Sequence, residues 1–209
     1  MADSTELSPG VNRPAFLFAP GAGAAISHCW MQHWAALLGE VGPVHPFDYP
    51  YMKEGGRRPD PLPKLIVAHR EALAAIRESG ASSIVLIGKS MGSRVGCHVS
   101  LEELVSAVVC FGYPLCGGGD PTKMRDAVLR KLRTPILFIQ GTRDTLCPLP
   151  LLETVRSEMI VENQLHVVPE GDHSLLVTKK WLKEHEQTQD DVDHGILAVI
   201  RSFVSSRTM

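Results

Sequence analysis

The sequence lacks an excess of charge of either sign: 21 Lys and Arg against 23 Asp and Glu give a formal net charge of -2. That balance excludes the basic field that nucleic acid or an anionic membrane surface would need, and no acidic tail is present. A small neutral or mildly charged molecule is the expected partner. Cysteine is sparse too, since Cys29, Cys97, Cys110, Cys116 and Cys147 form an odd, scattered set with no Cys-x-x-Cys spacing. Such a set fits neither a zinc site nor a disulfide framework, so no metal is expected. The thiols read as mostly reduced, in an intracellular protein; the cytoplasm is the expected location, with the nucleus as the alternative. No apolar run approaches the ~18 residues that span a bilayer. The stretch Met1 to Arg13 carries Asp3 and Glu6 and no apolar segment, which argues against a secretory signal or a transit peptide.

What is present is a regular rhythm. Short apolar runs alternate with amphipathic stretches from about residue 15 onward, and no repeat or linker interrupts them. This predicts an α/β fold with a doubly wound, mostly parallel six-stranded sheet covered by helices on both faces. The expected strands are Ala15 to Ala19, Val44 to Tyr49, Ile84 to Ile87, Ala107 to Phe111, Ile136 to Gln140 and Leu165 to Val168. Trp30, Trp34, Leu37 and Leu38 share one helical face, as do Leu65, Ile66, His69, Ala72, Leu73 and Ile76. Further helices are expected after Ser90, over Thr122 to Leu132, over Leu149 to Met159, and along Val192, Ile196, Val199, Ile200 and Phe203. Pro50 to Pro63, with Gly55-Gly56, Arg57-Arg58 and several prolines, reads as a loop rimming a ligand site. Residues 1–12 are expected to be flexible and residues 13–209 to form one domain.

The chemistry is concentrated at Gly88-Lys89-Ser90-Met91-Gly92, directly after the run Ile84-Val85-Leu86-Ile87. A Gly-x-Ser-x-Gly turn between a strand and a helix holds a serine hydroxyl clear of the backbone, but the pentapeptide alone is a weak signal. Its weight comes from the preceding strand and from the partners that follow. A serine needs a base to take its proton, and a histidine does so when a carboxylate fixes its tautomer. The fifth strand leads into Gly141-Thr142-Arg143-Asp144, and the sixth into Glu170-Gly171-Asp172-His173. Both loops leave the carboxyl ends of parallel strands, where open sheets bind ligands. Ser90, Asp144 and His173 are therefore the candidate nucleophile, acid and base, with Asp120 after the fourth strand as the competing acid. The developing oxyanion needs N–H donors: Met91 supplies one, and the loop Pro20-Gly21-Ala22-Gly23 supplies another, from Ala22 or from Gly21 or Gly23. Gly21, Gly23 and Lys89 are expected to touch substrate. Lys89 and Arg94 beside the turn and Arg143 beside Asp144 fit a carboxylate- or phosphate-bearing substrate, although long basic side chains commonly serve only as ion-pair partners.

These residues resemble the α/β-hydrolases, in particular the small lid-less dienelactone-hydrolase-like branch, over nearly the whole chain from about Arg13. Within it, Pro20-Gly21-Ala22-Gly23, the stretch Tyr49-Pro50-Tyr51-Met52 with Gly55-Gly56-Arg57-Arg58, and Gly88 to Arg94 are similar to the testis-expressed-protein-thirty group. That group is related to the third subunit of the NSL histone-acetyltransferase complex. The resemblance implies a minimal lid-less α/β-hydrolase sheet, trimmed to its last six strands, and a Ser90, Asp144, His173 triad. Dienelactone hydrolases carry a cysteine where this chain has Ser90, which sets lactone chemistry apart.

The expected function is a serine hydrolase that cleaves a small carboxylic ester or thioester through an acyl-enzyme, without a cofactor. With no inserted cap, its site should be open and suit short acyl chains. The alternative is a non-catalytic interaction protein on the same fold, with a protein complex as its partner. Acyl transfer or non-ester hydrolysis on the same triad differs only in the bond cleaved or the acceptor. Dinucleotide binding is a further reading, since Gly21-Ala22-Gly23 follows the first strand and Asp48 ends the second, but Ile26 stands where a third glycine belongs.

Overall fold

The computed structural model describes residues 13–207; the expectation of a flexible segment 1–12 lies outside the described residues. Six strands form one sheet among them: β1 (Ala15–Ala19), β2 (Val44–Pro46), β3 (Ile84–Lys89), β4 (Ala107–Phe111), β5 (Ile136–Gly141) and β6 (Asn163–Val168). Their spatial order is β2-β1-β3-β4-β5-β6, and every pairing is parallel. The helices are α1 (Cys29–Gly39), α2 (Pro50–Lys53), α3 (Leu62–Glu78), α4 (Met91–Val99), α5 (Leu149–Ser157), α6 (Lys179–Glu184) and α7 (Gln189–Ser205).

The period-2 alternation of side chains divides the core into two layers. Leu17, Leu86, Val108 and Phe138 face Leu73 of α3, Val95 of α4 and Leu152 of α5. Phe16, Phe18, Ile87 and Leu137 face Trp34 and Leu38 of α1 and Ile200 and Phe203 of α7. Strands apolar on both faces are what a sheet covered on both sides requires. The order reverses between β1 and β3, because β1 connects outward to β2 while β3 connects the other way to β4. The loops after β1 and β3 therefore diverge and leave a crevice.

Two expectations need correction. The second strand ends at Pro46 rather than Tyr49, because Asp48 turns to accept from the Ile26 N–H at 2.8 Å and Tyr49 caps the short α2. The helix expected over Thr122 to Leu132 shrinks to one 3₁₀ turn at Leu129–Lys131. Backbone groups of that segment pair across the chain instead: Arg125 N donates to Leu115 O at 2.7 Å, Gly117 N donates to Lys123 O at 2.9 Å, and Cys116 bridges Met124. The closing helix along Val192 to Phe203 is present as α7, and a short helix that was not expected, α6, precedes it. Thr178 caps α6, and a reciprocal capping box between Thr188 and Asp191 starts α7. The cysteines are free, with only Cys29 exposed. No described helix is long and apolar enough to cross a membrane.

Candidate active site

Ser90 stands between β3 and α4 with φ 51° and ψ -110°. A non-glycine residue at positive φ stores strain on the order of 1–3 kcal/mol, so the surroundings must enforce it. Two glycines do so. A Cβ at Gly88 would lie 2.4 Å from the backbone of Gly92 and Ser93, and one at Gly92 would lie 2.5 Å from Ala19 O. The turn is thus pressed against both its own helix and the end of β1. Ser90 N donates to Phe111 O at 2.9 Å, and the Ser93 hydroxyl donates to Gly88 O, which ties the turn to β4 and β3.

The loops after β5 and β6 are held together in the same manner. A Cβ at Gly141 would come within 2.2 Å of Gly171 O, and Arg143 N donates to that carbonyl at 2.9 Å. Asp172 Oδ1 accepts from Ser174 N at 2.7 Å and Leu176 N at 3.0 Å, a local turn that aims His173 back over the sheet. His173 Nε2 lies 2.8 Å from Ser90 Oγ, and Nδ1 lies 2.7 Å from Asp144 Oδ2. Asp144 is buried and also accepts from Leu146 N at 2.8 Å and from Gln140 Nε2 at 2.5 Å. Burial would raise its carboxyl pKa, but the hydrogen bonds and charge of His173, with those of Leu146 and Gln140, bring it below its ordinary value. As an ionised acceptor, Asp144 makes Nδ1 the donor and leaves Nε2 to accept from the Ser90 hydroxyl. Asp120 is elsewhere, on an exposed turn with Thr122 and Lys123.

The loop after β1 faces this chain of hydrogen bonds. The Ala22 carbonyl accepts from the Tyr51 hydroxyl at 2.9 Å. Tyr51 is buried, and burial together with the charges of Asp60 and Asp48 pushes its pKa up to about 12, so the phenol stays a donor. Met91 is the first residue of α4, where the backbone N–H has no intrahelical acceptor. Gly21 closes against the turn, since a Cβ there would be 3.2 Å from Lys89 Cγ, whereas Gly23 faces open space.

Lys89 reaches past Ser90 to donate to the His173 carbonyl, and its ammonium lies 5.1 Å from the centre of the Trp30 ring. Trp30 in turn donates to Ser174 O at 2.9 Å. Burial lowers the Lys89 pKa to about 8, against the opposing charges of Asp144 and Asp172. A cavity of about 280 Å³ opens here, bordered by Trp30, Met31, Lys89, Ser90 and His173. A second cleft, of about 330 Å³, lies on the other side of Ser90 between Met91, Arg94, Arg125 and the stretch Pro59 to Leu62. Part of the segment read as a rimming loop thus does line a cleft. Arg143 pairs with Glu170 at 3.9 Å instead of joining these residues.

The structure brings together Ser90, His173, Asp144, Met91, Ala22, Gly21 and Lys89. Sequence reasoning missed Tyr51, Gln140 and Arg125, and read Trp30 as core only. The Gln140 signal was available, since it is the penultimate residue of β5, four residues before Asp144; Tyr51 and Arg125 reach the site through long-range contacts that spacing does not show.

A parallel α/β sheet with a serine on a strained strand-to-helix turn, hydrogen-bonded through a histidine to a buried aspartate, is the architecture of a hydrolase fold. The chain belongs to the α/β-hydrolases: a family model described as an alpha/beta hydrolase domain matches residues 12–203. Among solved structures it is similar to an alpha-beta serine hydrolase homologue from Coxiella burnetii, with a TM-score of 0.68, 15% identity, and 95% of this chain and 86% of that one covered. It is similar to a dienelactone hydrolase from Anabaena variabilis, with a TM-score of 0.65, 18% identity, and 95% and 87% covered. It is also similar to the RedJ thioesterase of prodiginine biosynthesis in Streptomyces coelicolor, with a TM-score of 0.65, 16% identity, and 93% and 92% covered. At these identities the likeness is one of fold.

Proposed function

We propose that this protein is a serine hydrolase that cleaves a small carboxylic ester or thioester through an acyl-enzyme. The observation that carries the reading is the hydrogen-bonded chain from Ser90 Oγ through His173 to Asp144, at 2.8 and 2.7 Å, beside the crevice where the strand order reverses. Ser90 Oγ attacks the acyl carbon while its proton passes to His173 Nε2, and Asp144 stabilises the imidazolium. The carbonyl oxygen takes the negative charge and receives the N–H groups of Met91 and Ala22. Collapse breaks the bond to the leaving oxygen or sulfur, which departs with the proton from Nε2. Water then repeats the sequence on the acyl-enzyme and releases the acid. Esterase and thioesterase neighbours support this reaction class.

The motifs shared with the testis-expressed-protein-thirty group support placing this chain beside it, in the cytoplasm or nucleus. Hydrolysis of short aryl esters tests the reaction. Ser90→Ala and His173→Ala should each lower kcat by at least about 10³-fold, and Asp144→Asn by about 10⁴-fold. Equal rates in wild type and Ser90→Ala would remove Ser90 from the mechanism.

A further inference from the structure

Two guanidinium groups share the second cleft, and among the described residues neither is paired with a carboxylate. Arg94 sits one turn into α4, four residues after Ser90, and Arg125 is carried to the same cleft by the backbone pairing with Leu115. Both are half-buried, and among the described residues neither side chain has a hydrogen bond or an ion pair. Four other arginines, Arg70, Arg77, Arg130 and Arg156, each meet a carboxylate within 3 Å, and the unpaired Arg57, Arg58 and Arg133 are exposed to water rather than half-buried. Burial lowers the Arg94 pKa; Tyr113 opposes that shift and the like charge of Arg125 adds to it. Taking two like charges partly out of water is costly unless an anion joins them. Asp60, on the facing wall, does not fill that role. One of its oxygens pairs with Lys64 Nζ at 2.9 Å, and the other is buried without a partner.

The two clefts also differ in what they offer the reaction. The leaving group must take its proton from His173, which borders the Trp30 cavity and not the arginine cleft. The leaving group therefore lies toward Trp30, and the acyl chain runs past Met91 toward Arg94 and Arg125.

We propose that the Arg94–Arg125 cleft binds a carboxylate on the acyl part of the substrate, which makes the substrate class half-esters or half-thioesters of dicarboxylic acids. This rests on Ser90 as the nucleophile. Water adds to the acyl carbon, the alcohol or thiol leaves with a proton, and the products are that leaving group and a dicarboxylate. The distal carboxylate takes no part in bond making. Arginine suits it because the planar fork donates to both carboxylate oxygens at once.

The test compares aryl half-esters of succinic, glutaric and adipic acids with the butanoate, pentanoate and hexanoate esters of the same phenol. At least one half-ester should exceed its neutral counterpart by about ten-fold or more in kcat/KM, and Arg94→Gln or Arg125→Gln should lower that ratio by about ten-fold. Arg94→Lys, which keeps the charge, should retain more of the ratio than Arg94→Gln and guards against a variant that fails to fold. Ratios near one in wild type, with the neutral esters hydrolysed, would overturn the anionic subsite and leave the hydrolase standing. Failure to hydrolyse either set while a fluorophosphonate still labels Ser90 would also overturn it, with the activated serine intact. Failure of both hydrolysis and labelling would overturn the hydrolase reading and the subsite with it.

Discussion

Lys89 precedes the proposed nucleophile by one residue, yet its side chain serves the other end of the hydrogen-bonded chain. It holds the carbonyl of His173 and rests on Trp30, whose own N–H holds Ser174. The arrangement makes Lys89 a positioning residue with a charge that matters. In the unfolded chain it keeps its proton to about 10.5, while burial releases that proton in the folded state at about 8. Between those values unfolding takes up a proton, so the contribution of Lys89 to stability rises with pH across that window. Denaturant titrations should show wild type gaining on Lys89→Met as pH rises from about 8 to 10. A difference that stays constant with pH would contradict the buried, depressed ammonium. At this scale Ser90, Asp144 and His173 were legible because each follows a recognisable strand. Tyr51 was not: its contact with Ala22 spans 29 residues and depends on a four-residue helix that the Pro50 to Pro63 composition concealed.

The elements explain why the serine turn needs glycine at both flanks. Gly92 lies where α4 meets the end of β1, and a single methyl there would collide with Ala19 O at 2.5 Å and Pro20 O at 2.7 Å. Those residues also lead into the loop that carries Ala22, so relief of the clash would displace the proposed oxyanion donor. Gly92→Ala should cost about 3 kcal/mol in unfolding free energy and lower ester hydrolysis by about 10²-fold or more. Wild-type stability and turnover in this variant would show that the turn has room to spare. Elements defined by apolar periodicity were readable in the sequence, including α1, α3 and the five longer strands. The segment from Thr122 to Leu132 misled because its helical composition competes with pairing to Leu115 and Gly117, a contact local propensity does not encode. Placement of Arg125 in the second cleft follows from that pairing.

For the molecule as a whole, one parallel sheet performs three tasks. Its reversal of order separates the loops after β1 and β3, the glycine contacts between Gly141 and Gly171 bring Asp144 and His173 together, and the divergence leaves a cleft on either side of Ser90. The alternation of apolar runs and amphipathic stretches was enough to give the sheet and its layers. The two clefts were not readable, since they arise from loops that meet only once the sheet is assembled. Hydrolysis as proposed requires an activated Ser90, and covalent labelling tests that most directly. Purified protein treated with a fluorophosphonate and weighed as an intact chain should gain one adduct, absent in Ser90→Ala and strongly slowed in His173→Ala. A folded wild-type protein that gains no adduct, or an adduct gained equally by Ser90→Ala, would contradict an activated Ser90.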